Sequence, residues 1–288
     1  EKERETLCEI RKGGRQGLGS RAGARQPRRE GTSLEYTTVC GMGVTLFAGC
    51  SLIAMSPAVI MSLLFVAPKA NLVLLMVFSG FFLVLSICAA SITWLLIPAL
   101  HGWPVIALLE GVVWQELGRY AFYRLCFEAE HRTLAMSMDK MISFAPHKLD
   151  AMVAIGLGAG TASVLLLVGG TLELALLPGT YYAESCQGMS FFAAAAWHGC
   201  LVLHNTLFLT VIGIQSYRQK QSANVAAVAG LHVAASLATT LNAVKGDGCT
   251  LSLSALFLIT VATGVWAGQI AWKEAPHGNA NRTRQSIN

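Results

Sequence analysis

Seven apolar runs alternate with short polar segments along this chain, at roughly 44–67, 71–97, 104–126, 149–173, 190–214, 223–242 and 252–272. A helix needs about 20 such residues to cross the hydrocarbon of a bilayer. The pattern predicts an all-α polytopic membrane protein, a seven-transmembrane helix bundle. Pro68, Pro98, Pro104 and Pro178 stand at the predicted helix ends, where helices stop. The third run is the weakest by hydropathy, because Glu110, Glu116 and Arg119 interrupt it. Were it not a span, the count would fall to six and both termini would share a side.

Composition agrees with this class. Hydrophobic residues make up 54% of the chain and charged residues 13%, about half the charged share of a soluble domain. The formal charge of +5 needs no nucleic-acid partner, since the basic residues cluster ahead of the first run and flank the later ones. Eight cysteines are scattered without a CxxC pair, so the sequence offers no metal framework and points to no cofactor.

Residues 1–41 are polar, rich in Gly and Arg, and lack the apolar stretch of a signal peptide. They are expected to be a disordered N-terminal extension. Met42-Gly43 directly precedes the first run and has the look of a start, so the extension is expected not to belong to the mature chain. Residues 42–273 form the expected membrane domain, and 274–288 a short tail.

Basic residues orient a membrane bundle toward the cytosol. One set of loops and ends holds Lys69, Arg124, Arg132, Lys140, Lys148, Arg218, Lys220, Lys273, Arg282 and Arg284, whereas the opposite set holds only Lys245. The start of the first span is therefore expected to be lumenal or extracellular, and the C-terminus cytosolic. Cys186 and Cys249 fall in two loops on the predicted lumenal side, where a disulfide and a pair of free thiols are both open readings.

The candidate chemistry lies inside the runs. Glu116 and Arg119 sit in the third, His204 in the fifth and His232 in the sixth, each near the middle. An ionisable group at that depth costs roughly 2.5–3.5 kcal/mol on insertion scales, so such groups face the bundle interior and pair. Gln115 to Arg119 and Glu116 to Arg119 have helical spacing. His232 and Ser236 share a stripe with Thr239 and Thr240. Gln115, Glu116, His204 and His232 are expected to form one polar cluster; the blander reading of Glu116 and Arg119 is a locally neutralised pair near water. His198 lies closer to the lumenal end beside Trp197 and reads as interfacial. Gly156-x-x-x-Gly160 and Gly264-x-x-x-Gly268 offer flat surfaces for helix approach, within this chain or toward a partner.

Some chemistries are excluded. The only aspartates are Asp139, Asp150 and Asp247, all in loops or at span edges, so no membrane-embedded aspartate pair can form. No HExxH motif is present, and no glycine follows Ser190 to build a serine-nucleophile site. A seven-span receptor is disfavoured by short lumenal loops and by the absence of Asp-Arg-Tyr and Asn-Pro-x-x-Tyr patterns. Glu116 acting on a water as general base is the one catalytic option left.

Several segments in order carry a family resemblance: Met42 to Cys50, Ser56-Pro57-Ala58, Trp114 to Arg124, Pro178 to Tyr182, Leu203-His204, and Gly230 to Asn242. Over about residues 42–273 the chain resembles the anterior-pharynx-defective subunits of γ-secretase, as a distant member. The resemblance implies seven spans with the N-terminus outside, and a non-catalytic scaffold that works with presenilin, nicastrin and presenilin enhancer in intramembrane proteolysis and Notch signalling. It implies residence in endoplasmic reticulum, Golgi, plasma and endosomal membranes. The family's two membrane histidines correspond to His204 and His232, and its glycine motif to the Gly156–Gly160 region, offset by about a residue. The polar pattern also resembles glutamate-dependent proteases of prenylated proteins, but Gln115 replaces one expected carboxylate and Ser236 stands where an Asn is expected. The leading expectation is a scaffold, with that protease as the alternative.

Overall fold

The structure is a computed structural model that describes residues 33–135, 149–176, 182–186 and 188–274. Seven long helices account for nearly all of them: α1 (Ser33–Met61), α2 (Ala70–Leu96), α3 (Pro104–Ala135), α4 (Leu149–Leu174), α5 (Phe191–Gln219), α6 (Ser222–Thr240) and α7 (Gly248–Glu274). Six of these, all but α3, are long and apolar enough to cross a membrane. The chain is an all-helical integral membrane protein. The sequence expectation of seven spans thus differs at α3, whose buried charges lower its hydropathy below that of its neighbours.

Successive helices run in alternating directions, as the contacts between them require. Gly118 and Trp114 of α3 meet Ser86 and Thr93 of α2 in reverse order, so α3 lies antiparallel alongside α2. Leu207 and Leu203 of α5 meet Gly156 and Gly160 of α4 in reverse order. On α5 and α7 the paired positions rise together: His198 with Ser252, Asn205 with Thr263, Gln215 with Glu274. These two helices are parallel.

The core is built on α4 and α5. Their most apolar stretches are 56% and 61% buried, against 17–33% for the other four membrane-length segments, so α4 and α5 hold the centre and the rest surround them. Glycine makes this possible. A methyl at Gly156 would lie 2.6 Å from Leu207 Cδ1 and 2.9 Å from the Leu207 carbonyl oxygen. One at Gly160 would lie 2.9 Å from the Leu203 carbonyl oxygen. Gly158, on the opposite face, lies against Met76 and Ser79 of α2. Without side chains on either face, α4 lets α2 and α5 approach closely, and dispersion between backbones replaces the hydrophobic effect that lipid cannot supply. Gly264 likewise packs under the Phe208 ring, 2.9 Å from where its Cβ would be. A methyl at Gly268 would meet nothing within 4 Å, so of the two expected uses of this pair, packing within the chain and packing toward a partner, the first is seen at Gly264 alone.

Three helix ends differ from the sequence expectation. α1 begins at Ser33, so residues 33–41, expected to lack order, are helical; an established apolar helix extends at one hydrogen bond per residue. Residues 1–32 lie outside the described residues, as does the tail after Glu274. α3 continues to Ala135, well past 126, where Glu128 pairs with Arg124 and Arg132 at i,i+4 spacing and supports a helix beyond the apolar run. α5 runs five residues past 214 because Gln215 and Ser216 are buried, with Ser216 Oγ donating to the Ile212 carbonyl at 2.7 Å. It stops at Lys220, whose φ of 54° is left-handed.

Candidate functional site

The third helix brings its charges to the bundle interior by spacing alone. Glu116 and Arg119 are one turn apart on α3, and Arg119 Nη1 donates to both carboxylate oxygens, at 2.6 and 2.7 Å. Across the interface, His232 Nδ1 of α6 donates to Glu116 Oε1 at 2.6 Å. The side chains of Arg119, His232 and Glu116 are only 9%, 12% and 16% exposed. In such surroundings an unpaired charge is prohibitive, and a charge-assisted triad is the arrangement that retains it.

Other elements close around the triad. The Arg119 stem crosses α5 at Gly213, where an added Cβ would come within 3.4 Å of Arg119 Cδ. Gly213 went unnoticed in the sequence, since a glycine in an apolar run carries no signal of what lies over it. One turn on, Tyr217 of α5 sits between Tyr120 and Tyr123 of α3, with centroids 5.3 and 5.5 Å away. On the other side Arg119 and Gln115 line a small crevice with Ser79 and Ser86 of α2 and Thr206 and Thr210 of α5. Its volume of about 30 Å³ is large enough for a water molecule.

The structure divides the expected cluster in two. Glu116, Arg119 and His232 are bonded to one another, and Gln115 borders them. His204 is not part of that group: its Nδ1 donates to the Cys200 carbonyl on its own helix at 2.8 Å, and its ring lies 6.0 Å from Phe208. Phe208 in turn packs on Gly264 of α7. The reason is helical phase. His204 and Gly213 are nine positions apart, two and a half turns, so they occupy opposite faces of α5. Ser236 lies one turn beyond His232, and its backbone carbonyl accepts from Thr239 Oγ1 at 2.7 Å; among the described residues its side chain has no bond to the triad.

A second polar group, at the opposite end of α5, was missed. His198, read as interfacial, is 8% exposed. Its Nδ1 donates to the Ala194 carbonyl at 3.1 Å, and Nε2 accepts from Ser252 Oγ at 3.0 Å and from Asn242 Nδ2 at 3.1 Å. The Cys186–Cys249 disulfide lies beside it, packed on Ala194. The connecting segment is fastened further by Cys249 N to Ser185 O at 2.9 Å and Lys245 to Glu184 at 2.8 Å.

The fold and these two groups define the class: a polytopic helical membrane protein whose interior is held by charged and neutral side chains contributed by separate helices. Comparison with known proteins then specifies it. Residues 45–274 match the family model described as Aph-1 protein, and the chain belongs to that family. It is 25% identical over 238 residues to the γ-secretase subunit APH1-like of Arabidopsis thaliana, covering 81% of this chain and 95% of the relative. It is 28% identical over 225 residues to the γ-secretase subunit Aph-1 of Drosophila melanogaster, covering 78% and 92%. For the human γ-secretase subunit APH-1B the identity is 23% over 237 residues, covering 78% and 88%.

Proposed function

We propose that this chain is a non-catalytic assembly subunit of a γ-secretase-type complex, bracing presenilin, nicastrin and presenilin enhancer in the membrane. The observation that carries the reading is the closed triad. Glu116 has both oxygens engaged by Arg119 and one also by His232. A carboxylate committed to three charge-assisted bonds is a weakened base, but it joins α3 to α6 firmly. The relatives named as γ-secretase subunits support the same reading, and nothing among them favours the glutamate-protease alternative.

In this proposal α3 is the seventh span. It lies antiparallel along α2, and its two mid-run charges neutralise each other inside the bundle. Seven alternating spans put the two ends on opposite sides, and the basic residues favour the start of α1 outside and the end of α7 in the cytosol. Presenilin engages a polar surface supported by His232 and, on the far face of α5, by His204. The complex works in endoplasmic reticulum, Golgi, plasma and endosomal membranes and contributes to Notch-type processing.

The test is affinity purification of the full chain in mild detergent. His232→Ala frees one end of the triad and is expected to lower presenilin recovery severalfold, with His204→Ala giving a smaller loss. Full recovery of presenilin with the double variant would remove the role assigned to both histidines.

A further inference from the structure

Glu116 and His232 face each other where α3 and α6 meet, and each helix turns one flank of that contact inward and the other toward lipid. On the inner flanks, Val228 and Ala235 of α6 are buried, and Gln115 and Arg119 of α3 line the interior crevice. At 3.6 residues per turn the outer flank of α3 holds Val113, Leu117, Tyr120 and Arg124, within about 60° of one another, and all four are exposed. The outer flank of α6 holds Ala226, Ala229 and Val233, again within about 60°. Ala226 is exposed and the other two are half-buried. The surface between the two helices is thus a groove with one bulky wall and one low wall, on the lipid side of the triad.

One end of this groove is polar. Arg124 Nη1 donates to the Tyr120 hydroxyl at 3.4 Å, and Arg124 also pairs with Glu128 at 3.5 Å. The Tyr120 ring packs edge-on against Tyr217, close to the end of α5 at Gln219, so its hydroxyl lies where the bundle meets the membrane interface. From there to Val113 the bulky wall is apolar, and Arg124 to Val113 spans about 16 Å of helix. A tyrosine hydroxyl that accepts one bond still has its own proton to donate. The matching occupant is rigid and flat, apolar along most of its length, with a single hydroxyl at one end. Leu117, Tyr120 and Arg124 also have the spacing of a branched apolar residue, a tyrosine and a base proposed for sterol contact. The structure adds that these three share one exposed face and adjoin a wall of small side chains.

We propose that the α3–α6 groove binds a sterol. The sterol hydroxyl accepts from Tyr120 beside Arg124. The flat ring face lies against Ala229 and Val233, and the tail runs past Leu117 and Val113 toward the middle of the membrane. An acyl chain fills the same space only by losing more conformational freedom, and it brings no hydroxyl to Tyr120.

The experiment is photolabelling of the full chain, with whatever subunits accompany it, in nanodiscs that contain a sterol bearing a ring diazirine, followed by peptide mass spectrometry. Cross-links are expected within residues 113–124 and 226–233. One neutral hydrogen bond corresponds to about a fivefold change in affinity. Tyr120→Phe keeps the ring and loses the hydroxyl, so at subsaturating sterol it is expected to reduce labelling by about that factor. Ala229→Phe fills the low wall and is expected to remove most of the labelling. On the wild-type chain, unlabelled sterol is expected to compete about fivefold better than its 3-deoxy analogue. Labelling of other surfaces only, equal competition by the two compounds, or labelling unchanged in both variants overturns the proposal. Labelling that is present in the lone chain and lost when the other subunits accompany it assigns the groove to a protein partner, and overturns it as well.

Discussion

Two polar groups hold this bundle, and they do so by different physics. The triad of Glu116, Arg119 and His232 joins α3 to α6 through charge. The group around His198 joins α5, α7 and the turn after α6 through neutral hydrogen bonds, with Asn205 and Thr263 adding another bond further along α5 and α7 at 3.3 Å. A charged group and a neutral group both satisfy their members, but they fail differently. Removing one neutral partner leaves a dipole unsatisfied. Removing one charged partner leaves a net charge in a medium that cannot solvate it. The charged contact is therefore nearly all-or-none, whereas the neutral one loosens by degrees.

That contrast predicts the largest effect at Glu116. Glu116→Ala leaves Arg119 buried and uncompensated, and breaking a buried pair in this way costs about 3–5 kcal/mol. The expected result is loss of monodisperse protein in detergent, or a steep fall in thermal stability. The comparison is sharpened by the double replacement Glu116→Leu with Arg119→Met, which removes both charges and is expected to recover most of the loss. A double variant no better than Glu116→Ala would mean that the pair is held for its geometry and not for its charge balance.

His198 should give a smaller, graded response. In His198→Leu the Ser252 hydroxyl and the Asn242 amide each lose an acceptor, and an unmet buried polar group costs about 1–3 kcal/mol. The expected outcome is a folded protein with a lowered thermal midpoint. Reduction of the adjacent Cys186–Cys249 bond should lower the midpoint further in the variant than in the wild type, because the two fasten the same segment. Identical reduction effects in the two proteins would separate them into independent restraints.

How far the sequence foretold this depends on whether the signal is local. Glu116 and Arg119 are one turn apart in a single run, so their pairing follows from helical spacing. The α4 glycines stand out for the same reason, although their use on both faces does not. His198 was passed over because its partners come from two segments more than forty residues away, and nothing near Trp197 announces them. His204 was joined to the wrong group because depth in the membrane was read without helical phase: matching depth on two helices says nothing about which way each side chain turns. The ends of α3 and α5 overran for a related reason. Polar residues that look like loop become helix when they are buried, as Gln215 is, or paired at i,i+4, as Glu128 is.

The smallest effect sits on α7, and it tests whether the neutral contacts are as mild as argued. Thr263 Oγ1 bonds to Asn205 Oδ1 but also to the Ile259 and Thr260 carbonyls of its own helix, both at 3.0 Å. Replacement by an isosteric apolar side chain removes all three contacts, but the two carbonyls lie within α7, where the helix backbone still supplies donors, so the net loss is the cross-helix bond to Asn205 Oδ1. Interhelical bonds of this kind average about 0.6 kcal/mol in a membrane bundle. Thr263→Val is therefore expected to shift the thermal midpoint by only a degree or two. Gly268→Ala, which meets nothing within 4 Å, is the matched control on the same helix and should leave the isolated chain unchanged. If Thr263→Val instead approached the loss seen for Glu116→Ala, the neutral contacts would have to be as cooperative as the ionic triad, and the division between the two regions would fail.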